Sequence, residues 1–472
     1  MQKKLVLMYP NQRWIKDDIR TTWNLNPATL CLLAAMVTDI VDVVIIDAQF
    51  YNISREEFSK LLQEHQPDFV GISVLTSEYK ETLDITARIV RETCPSAIII
   101  AGGVHVTTTI EFILPNPYID YCVIGEGEYV LRDLIKAFTQ NAPLPEIGLA
   151  YVREGQIIIQ ARALVEDLSA LPWPAYDLVD FNAYANSAPR SFNPQSPPDF
   201  PYVRMTTTRG CPCGCCFCQV DLISGNKVRT RNPEDVVNEL IYLKKTYGLR
   251  AVIFDDDNLL MGSNSYAKQL FGLMIKQNIG IKWIAISLAL FLLDEEMLKL
   301  MKASGCTLVS VSIESGSKRV LDEIVGKPIK DLETANHAIR MIKSFDIYCI
   351  ANFIIGFPTE TWEEIRETIN YAEHCYADYI KIFIAVPLYK TRLYYKALEL
   401  GLLECDENYP KVDWRHAQIK SNEWSSRDIS ILCAFEWDRI NFSPNRLQRV
   451  LKICNTTIND VRQIRKSTRD AL

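Results

Sequence analysis

The 472-residue chain has no long uninterrupted apolar run. Its most hydrophobic stretch, Trp283 to Leu293, is broken by Ser287 and is far shorter than the ~20 residues that a bilayer-spanning helix needs. It also lacks a long basic run. The 51 Lys and Arg against 58 Asp and Glu leave a net charge of -7, so no nucleic acid is expected as a partner. The short basic stretch Arg462, Arg465, Lys466 and Arg469 suits a solvated helix face. No signal-peptide pattern opens the chain, which makes a reducing cytoplasm the expected compartment and disulfides an unexpected device. Outside residues 211–218 there is no further C-x2-C pair, and there is no H-x3-5-H anywhere, which argues against a structural zinc site. No Ser-His-Asp or paired-carboxylate constellation is recognisable. What remains is a chain with 48% hydrophobic residues, enough to bury two or three cores.

Cysteine is present in an unusual distribution. Nine of the 14 stand singly (Cys31, Cys94, Cys122, Cys306, Cys349, Cys375, Cys405, Cys433, Cys454) and read as ordinary thiols. The other five fall within the eight residues CPCGCCFC. Cys211, Cys215 and Cys218 are spaced C-x3-C-x2-C, with the aromatic Phe217 before the last. Thiolates are soft anionic donors that stabilise iron-sulfur centres, and three of them on one tight loop leave one corner of a cluster unclaimed. Cys213 and Cys216 are either ligands in another register or bystanders; the position of the aromatic favours bystanders.

The segment TTTRGCPCGCCFC resembles the cluster loop of the radical S-adenosylmethionine superfamily. The resemblance implies a [4Fe-4S] cluster on Cys211, Cys215 and Cys218, with S-adenosylmethionine on the open iron and its reductive cleavage to a 5'-deoxyadenosyl radical. A flavodoxin-like reductant is the corresponding family expectation.

Residues 1 to about 140 alternate short apolar runs (LVLMY, VDVVIID, FVGISVL, AIIIAGG, YCVIG) with helix-period segments (Pro27 to Val37, Arg55 to Glu64, Lys80 to Arg91, Tyr129 to Phe138). That alternation predicts a doubly wound, Rossmann-like α/β domain that binds its ligand at the carboxyl ends of the strands. Small and polar residues stand there: Ser73 and Thr76, then Gly102, Gly103 and His105, then Gly125, Glu126 and Gly127, followed by Glu128. SVLTS, AGGVHVTTT and VIGEGE, in this order and followed by LPWPAYDLVD, resemble the cobalamin-binding domain of one branch of the superfamily. The resemblance implies cobalamin at those loops. The D-x-H-x-x-G of older cobalamin folds is missing, and His105, beside two glycines, suits a hydrogen-bonding wall better than a cobalt ligand.

Residues 141–200 are expected to be a proline-rich linker carrying a hairpin (Leu149 to Arg153, Gln156 to Gln160) and lying across two domains. From 201 to 395 six further strand–helix units predict a partial (β/α)6 TIM-like barrel. Polar residues end its strands: Asp255, Asp256 and Asp257; Glu314 and Ser315; Gly356, Pro358 and Thr359. FDDDN, SIESGS, GKPI and IIGFPTET extend the resemblance to about residue 395. It implies Glu314 and Ser315 at the ribose or methionine of S-adenosylmethionine, and Phe217 and Ile355 at the adenine. Asp255 and Asp256 are either substrate contacts or a solvated strand end. Leu288 stands where many relatives carry arginine, and PLYKTRLY replaces the usual proline-glycine-threonine turn. Residues 396–472 are expected to form a helical cap on the substrate side, with Trp414, His416, Trp424, Trp437 and Arg439 as candidate linings.

The reading is a cobalamin-dependent radical methyltransferase acting on an unactivated carbon, less often phosphorus, of a small metabolite or lipid. The alternatives are a radical cyclase, dehydratase or ring-contracting enzyme without methyl transfer, and an iron-sulfur electron carrier.

Overall fold

The computed structural model describes residues 2–15, 27–75, 80–187, 193–404 and 412–469. They form two compact units, Met1–Tyr184 with Leu222–Ser224, and Ala185–Asp221 with Gly225–Leu472. Thr76 lies outside the described residues.

In the first unit, strands β1 (Lys4–Tyr9), β2 (Asp42–Asp47), β3 (Phe69–Ser73), β4 (Ile98–Gly102) and β5 (Tyr121–Val123) are parallel in the order β2-β1-β3-β4-β5. Strand alternation splits the core in two. Val6, Met8, Val70 and Ile72 pack with Phe58, Leu62, Leu83, Ala87 and Val90 of helices Arg55–His65 and Lys80–Thr93. Leu5, Leu7 and Phe69 pack with Leu30, Ala34, Leu131 and Leu134 of helices Ala28–Ala35 and Glu128–Gln140. Helices therefore cover both faces, and the order reverses between β1 and β3, the point where such sheets open a crevice. The hairpin assigned by sequence to the linker is instead part of this sheet. β6 (Leu149–Arg153) pairs antiparallel with β5, and β7 (Gln156–Ile159) pairs with β6. A turn at Gly155 (φ +77°) returns the chain, and β6 satisfies an edge that a five-stranded sheet would leave open.

In the second unit, β8 (Tyr202–Met205) precedes a short ladder of β9 (Thr208–Arg209) and β10 (Arg229–Thr230). β11 (Ala251–Phe254), β12 (Lys282–Leu288), β13 (Cys306–Glu314), β14 (Tyr348–Ile355) and β15 (Tyr379–Ile384) then join β8 in a parallel sheet. Its order, β15-β14-β13-β12-β11-β8, is that of an open six-stranded β/α barrel. One face meets the helices: Trp283 stacks on Phe271 at 4.9 Å, and Phe353 meets Tyr371. The other face is the lumen, with an apolar floor of Tyr202, Ala251, Ile253, Ile284, Leu308, Ile350 and Tyr379.

The C-terminal helices close this floor rather than the substrate side. Phe442, Val450 and Val461, on or beside helices Ser426–Asn441, Pro444–Ile453 and Ile458–Arg469, pack against the beginnings of the strands. Helix Ser426–Asn441 also covers the edge of β15. Asn441 Oδ1 accepts from Ile380 N–H and its Nδ2 donates to Ile380 C=O, both at 2.8 Å. Two of the expected substrate linings follow suit: Trp437 donates to Tyr379 Oη at 2.8 Å, and Arg439 pairs with Glu373 and Glu436, whereas buried Trp424 donates to Glu360 C=O in the loop after β14. Trp414 is exposed, and His416 pairs with Asp413. Apolar periodicity made these helices visible, but not which mouth of the barrel they cover.

Candidate active site

The cysteine loop begins just after β9, at the carboxyl ends of the barrel strands. Three successive carboxylates after β11 organise its approach. Asp256 is buried and accepts from Thr207 N–H at 2.8 Å, from Thr207 Oγ1 at 2.9 Å and from Thr208 N–H. Burial pushes its pKa up to about 6 against those donors. Asp257 accepts from Gly210 N–H at 2.7 Å. Gly210 has φ +93°, and a Cβ there would lie 2.4 Å from Lys227 C=O, so glycine is required. Asp255 pairs with Arg204 at 2.6 Å. Of the two proposed substrate carboxylates, Asp256 is thus committed to the loop backbone and Asp255 to Arg204; the triplet is neither a solvated strand end nor a free acidic site.

Cys211, Cys213, Cys215 and Cys218 are partly exposed and Cys216 is buried. Cys216 anchors the loop: its N–H donates to Val325 C=O and its C=O accepts from Leu393 N–H, both at 2.9 Å. Its thiol is buried, which pushes it up to about 12. Cys213 donates to Cys211, holding the Cys211 thiol below its ordinary range. Burial raises Cys215 and raises Cys218 to about 12. The departure PLYKTRLY grips this loop from the β15 side: Arg392 donates to Gly214 C=O, and Gln219 Nε2 donates to Tyr389 C=O. Among the described residues no three His, Cys, Asp or Glu side chains converge on a single metal ion. A four-iron cluster spreads its thiolates over separate irons, and three soft donors on one pinned loop fit that demand.

Glu314 adopts φ +76° where the β13–β14 register shifts after Ser312, a strained bulge that re-aims its side chain. Its Oε1 meets Lys327 Nζ at 2.7 Å, both side chains being almost buried. Lys327 follows the π-helical turn Val320–Val325 and Gly326. Burial opposes its charge, but Glu314 and the Cys215 thiol outweigh it. A cation is thereby held beside the cysteines, as a site for an anionic cluster and a carboxylate-bearing cofactor requires. Phe217 lies 6.2 Å from Phe357. Ser315 is placed differently from the expectation: it is fully buried and its Oγ engages Thr368 Oγ1 and Ser317 N–H. Ile355 falls with Phe353 on the helix-facing side by strand alternation, so Ile354 is its lumen-facing neighbour. Leu288, in the arginine position, is buried.

At the carboxyl edge of the first sheet, Ser73, Gly102 and Gly103 lie together. A Cβ on Gly103 (φ +100°) would meet Val74 C=O at 2.5 Å and Ser73 Oγ at 3.2 Å, whereas one on Gly102 would meet nothing closer than 3.7 Å. Gly125 (φ +87°) bridges to Ala163 and its N–H donates to Thr107 Oγ1 at 2.9 Å. Glu126 accepts from Val165 N–H, and Gly127 precedes helix Glu128–Gln140. His105 is buried with Nδ1 3.0 Å from Thr109 Oγ1. Burial, with Lys80 adding, depresses it to about 3, so it is a neutral wall residue. The end of β4 at Gly102 is free of side chains and leaves room for a broad planar ring.

Comparison with known proteins agrees with both units. The radical SAM superfamily model matches residues 205–372 and the B12 binding domain model matches residues 24–135. An uncharacterized methyltransferase of Pyrococcus horikoshii is 32% identical over 436 residues, covering 92% of this chain and 91% of its own. Cytidylyl-2-hydroxyethylphosphonate methyltransferase of Streptomyces wedmorensis is 27% identical over 82% of this chain and 78% of its own. The structure of the radical S-adenosylmethionine methyltransferase TsrM from Kitasatospora setae, with cobalamin and a [4Fe-4S] cluster bound, shares the fold at TM-score 0.69 and 18% identity, over 85% of this chain and 78% of that one. With its cobalamin-type sheet, its cysteine loop and these relatives, the chain belongs to the cobalamin-binding radical S-adenosylmethionine enzyme family, whose cofactors are a [4Fe-4S] cluster, S-adenosylmethionine and cobalamin.

Proposed function

We propose that this enzyme methylates an unactivated carbon, less often phosphorus, of a small metabolite or lipid. When bound, the cluster and S-adenosylmethionine supply a 5'-deoxyadenosyl radical and cobalamin supplies the methyl group. Cys211, Cys215 and Cys218 would hold the cluster, Phe217 and Glu314 would bind S-adenosylmethionine, and Ser73, Gly102, Gly103, Gly125, Glu126 and Gly127 would frame cobalamin. Asp256 and Asp257 keep the cysteine loop in one conformation, so that ligation costs little ordering. Lys327 offsets negative charge beside the thiols. Homolytic hydrogen removal needs no general base, which accords with Asp255 and Asp256 both being engaged elsewhere.

The observation that carries the reading is the pairing, in one chain, of the pinned three-cysteine loop with a B12-type domain. Its test is anaerobic reconstitution with iron, sulfide and cobalamin, then a reductant-driven assay for 5'-deoxyadenosine. Wild type should form it and retain cobalamin absorbance; Cys215→Ala should form none. Product mass raised by one methylene marks methyl transfer, whereas an unmethylated, cyclised or contracted product would replace this reading. A flavodoxin-like protein would serve as reductant.

A further inference from the structure

Above the apolar floor, three side chains stand abreast in the barrel lumen. Ser312 is in register with Asn352, and Asn352 with Lys381, on β13, β14 and β15. Asn352 Nδ2 donates to Ser310 Oγ at 3.0 Å and Ser312 Oγ at 3.2 Å, while its Oδ1 is buried without a partner. Lys381 Nζ donates to Gln195 Oε1 and, among the described residues, forms no ion pair, whereas Arg204 in the same lumen has Asp255 as its carboxylate. Gln195 Nε2 in turn donates to Ile286 C=O on β12 at 3.4 Å. Ser312, Asn352 and Lys381 all remain partly accessible, and Phe383, next on that face, is exposed.

A lysine kept in a lumen with only a carboxamide and the Cys454 thiol beside it is costly unless a bound anion completes it, and an orphaned amide oxygen asks for a donor. We propose that Lys381, Asn352 and Ser312 form the substrate-selecting subsite of the barrel, recognising an anionic oxygen group (phosphonyl, phosphoryl or carboxylate) with a hydroxyl or N–H donor beside it. Lys381 takes the anionic oxygen, Asn352 Oδ1 takes the neighbouring donor, and Gln195 is the side chain displaced or shared. Burial lowers Lys381 to about 8, so most of it is charged at neutral pH and discharge costs little above that. The proposal rests on the radical-enzyme reading for its reaction but not for its binding.

The test is equilibrium binding of hydroxymethylphosphonate and glycolate to the anaerobically reconstituted holoenzyme, with methylphosphonate and acetate as hydroxyl-free controls. Wild type should bind a hydroxylated anion saturably and at least tenfold more tightly than its control. Phosphonate against carboxylate preference then identifies the anionic group. Lys381→Met should weaken binding at least tenfold, Lys381→Arg should retain part of it, and Asn352→Asp should abolish it by placing a like charge in the row without changing its size. Absence of saturable binding to wild type, or binding by Lys381→Met or Asn352→Asp as tight as that of wild type, overturns the subsite. Wild-type 5'-deoxyadenosine formation, measured separately, reports on the radical reaction, so failure of one reading is distinguishable from failure of the other.

Discussion

Glu360 shows how a single side chain shapes the region after β14. One carboxyl oxygen accepts from Gly356 N–H at 2.7 Å and Phe357 N–H at 3.0 Å, and the other, buried, has no partner. Burial raises it from 4.5 to about 8. The folded protein therefore binds a proton that the unfolded chain has released, and stability falls as pH rises from the unfolded value towards 8, by up to roughly 1.4 kcal/mol per pH unit. Glu360→Gln keeps the oxygen that accepts both N–H groups and removes the titration. Urea unfolding at pH 5.5 and 8 should show a smaller pH difference for the variant than for wild type; an unchanged difference would mean that Glu360 is ionised. Residue by residue, the cysteines were legible because spacing on a short loop is a local property. Ser315 was not, since its burial against Thr368 depends on a helix some fifty residues away. Gln195, Asn352 and Lys381 were missed altogether, because only register across strands places them in one lumen.

At the scale of elements, β15 is the last strand of its sheet, and Asn441, on the helix that covers it, substitutes for a neighbour strand by engaging both backbone groups of Ile380. Asn441→Ala leaves a buried donor and acceptor unsatisfied and should destabilise the second unit by about 1–3 kcal/mol, seen as a lower urea midpoint with the slope unchanged. No shift in midpoint would show that water replaces the carboxamide. The thirteen described strands of the two parallel arrays and the hairpin lie within a few residues of the apolar runs in the sequence, because continuous Val/Ile/Leu runs mark strands buried on both faces. Their partners were less legible. The hairpin Leu149–Ile159 carries the same alternation whether it stands in a linker or extends a sheet, and only hydrogen bonding to β5 distinguishes the two.

At the scale of the molecule, the cluster cysteines and the cobalamin-type sheet belong to different compact units. A variant with Cys211, Cys215 and Cys218 all changed to alanine should therefore lose the iron-sulfur absorbance and all 5'-deoxyadenosine formation yet still retain cobalamin after gel filtration. Loss of cobalamin along with iron would show that cofactor retention in the first unit depends on the second. Among the described residues no helix is long and apolar enough to cross a membrane, in line with the broken apolar stretch at Trp283–Leu293, which forms β12 and the turn after it.

By itself the sequence determined the alternation of strands and helices, the two α/β units and the three-thiol loop, because each is encoded within a few neighbouring residues. Tertiary structure alone decided the rest: that Asp256 and Asp257 serve the loop backbone, that the C-terminal helices seal the floor of the barrel, and that Ser312, Asn352 and Lys381 share one row. Those outcomes depend on register, strand order and burial, which arise only when segments far apart in the chain exclude water together.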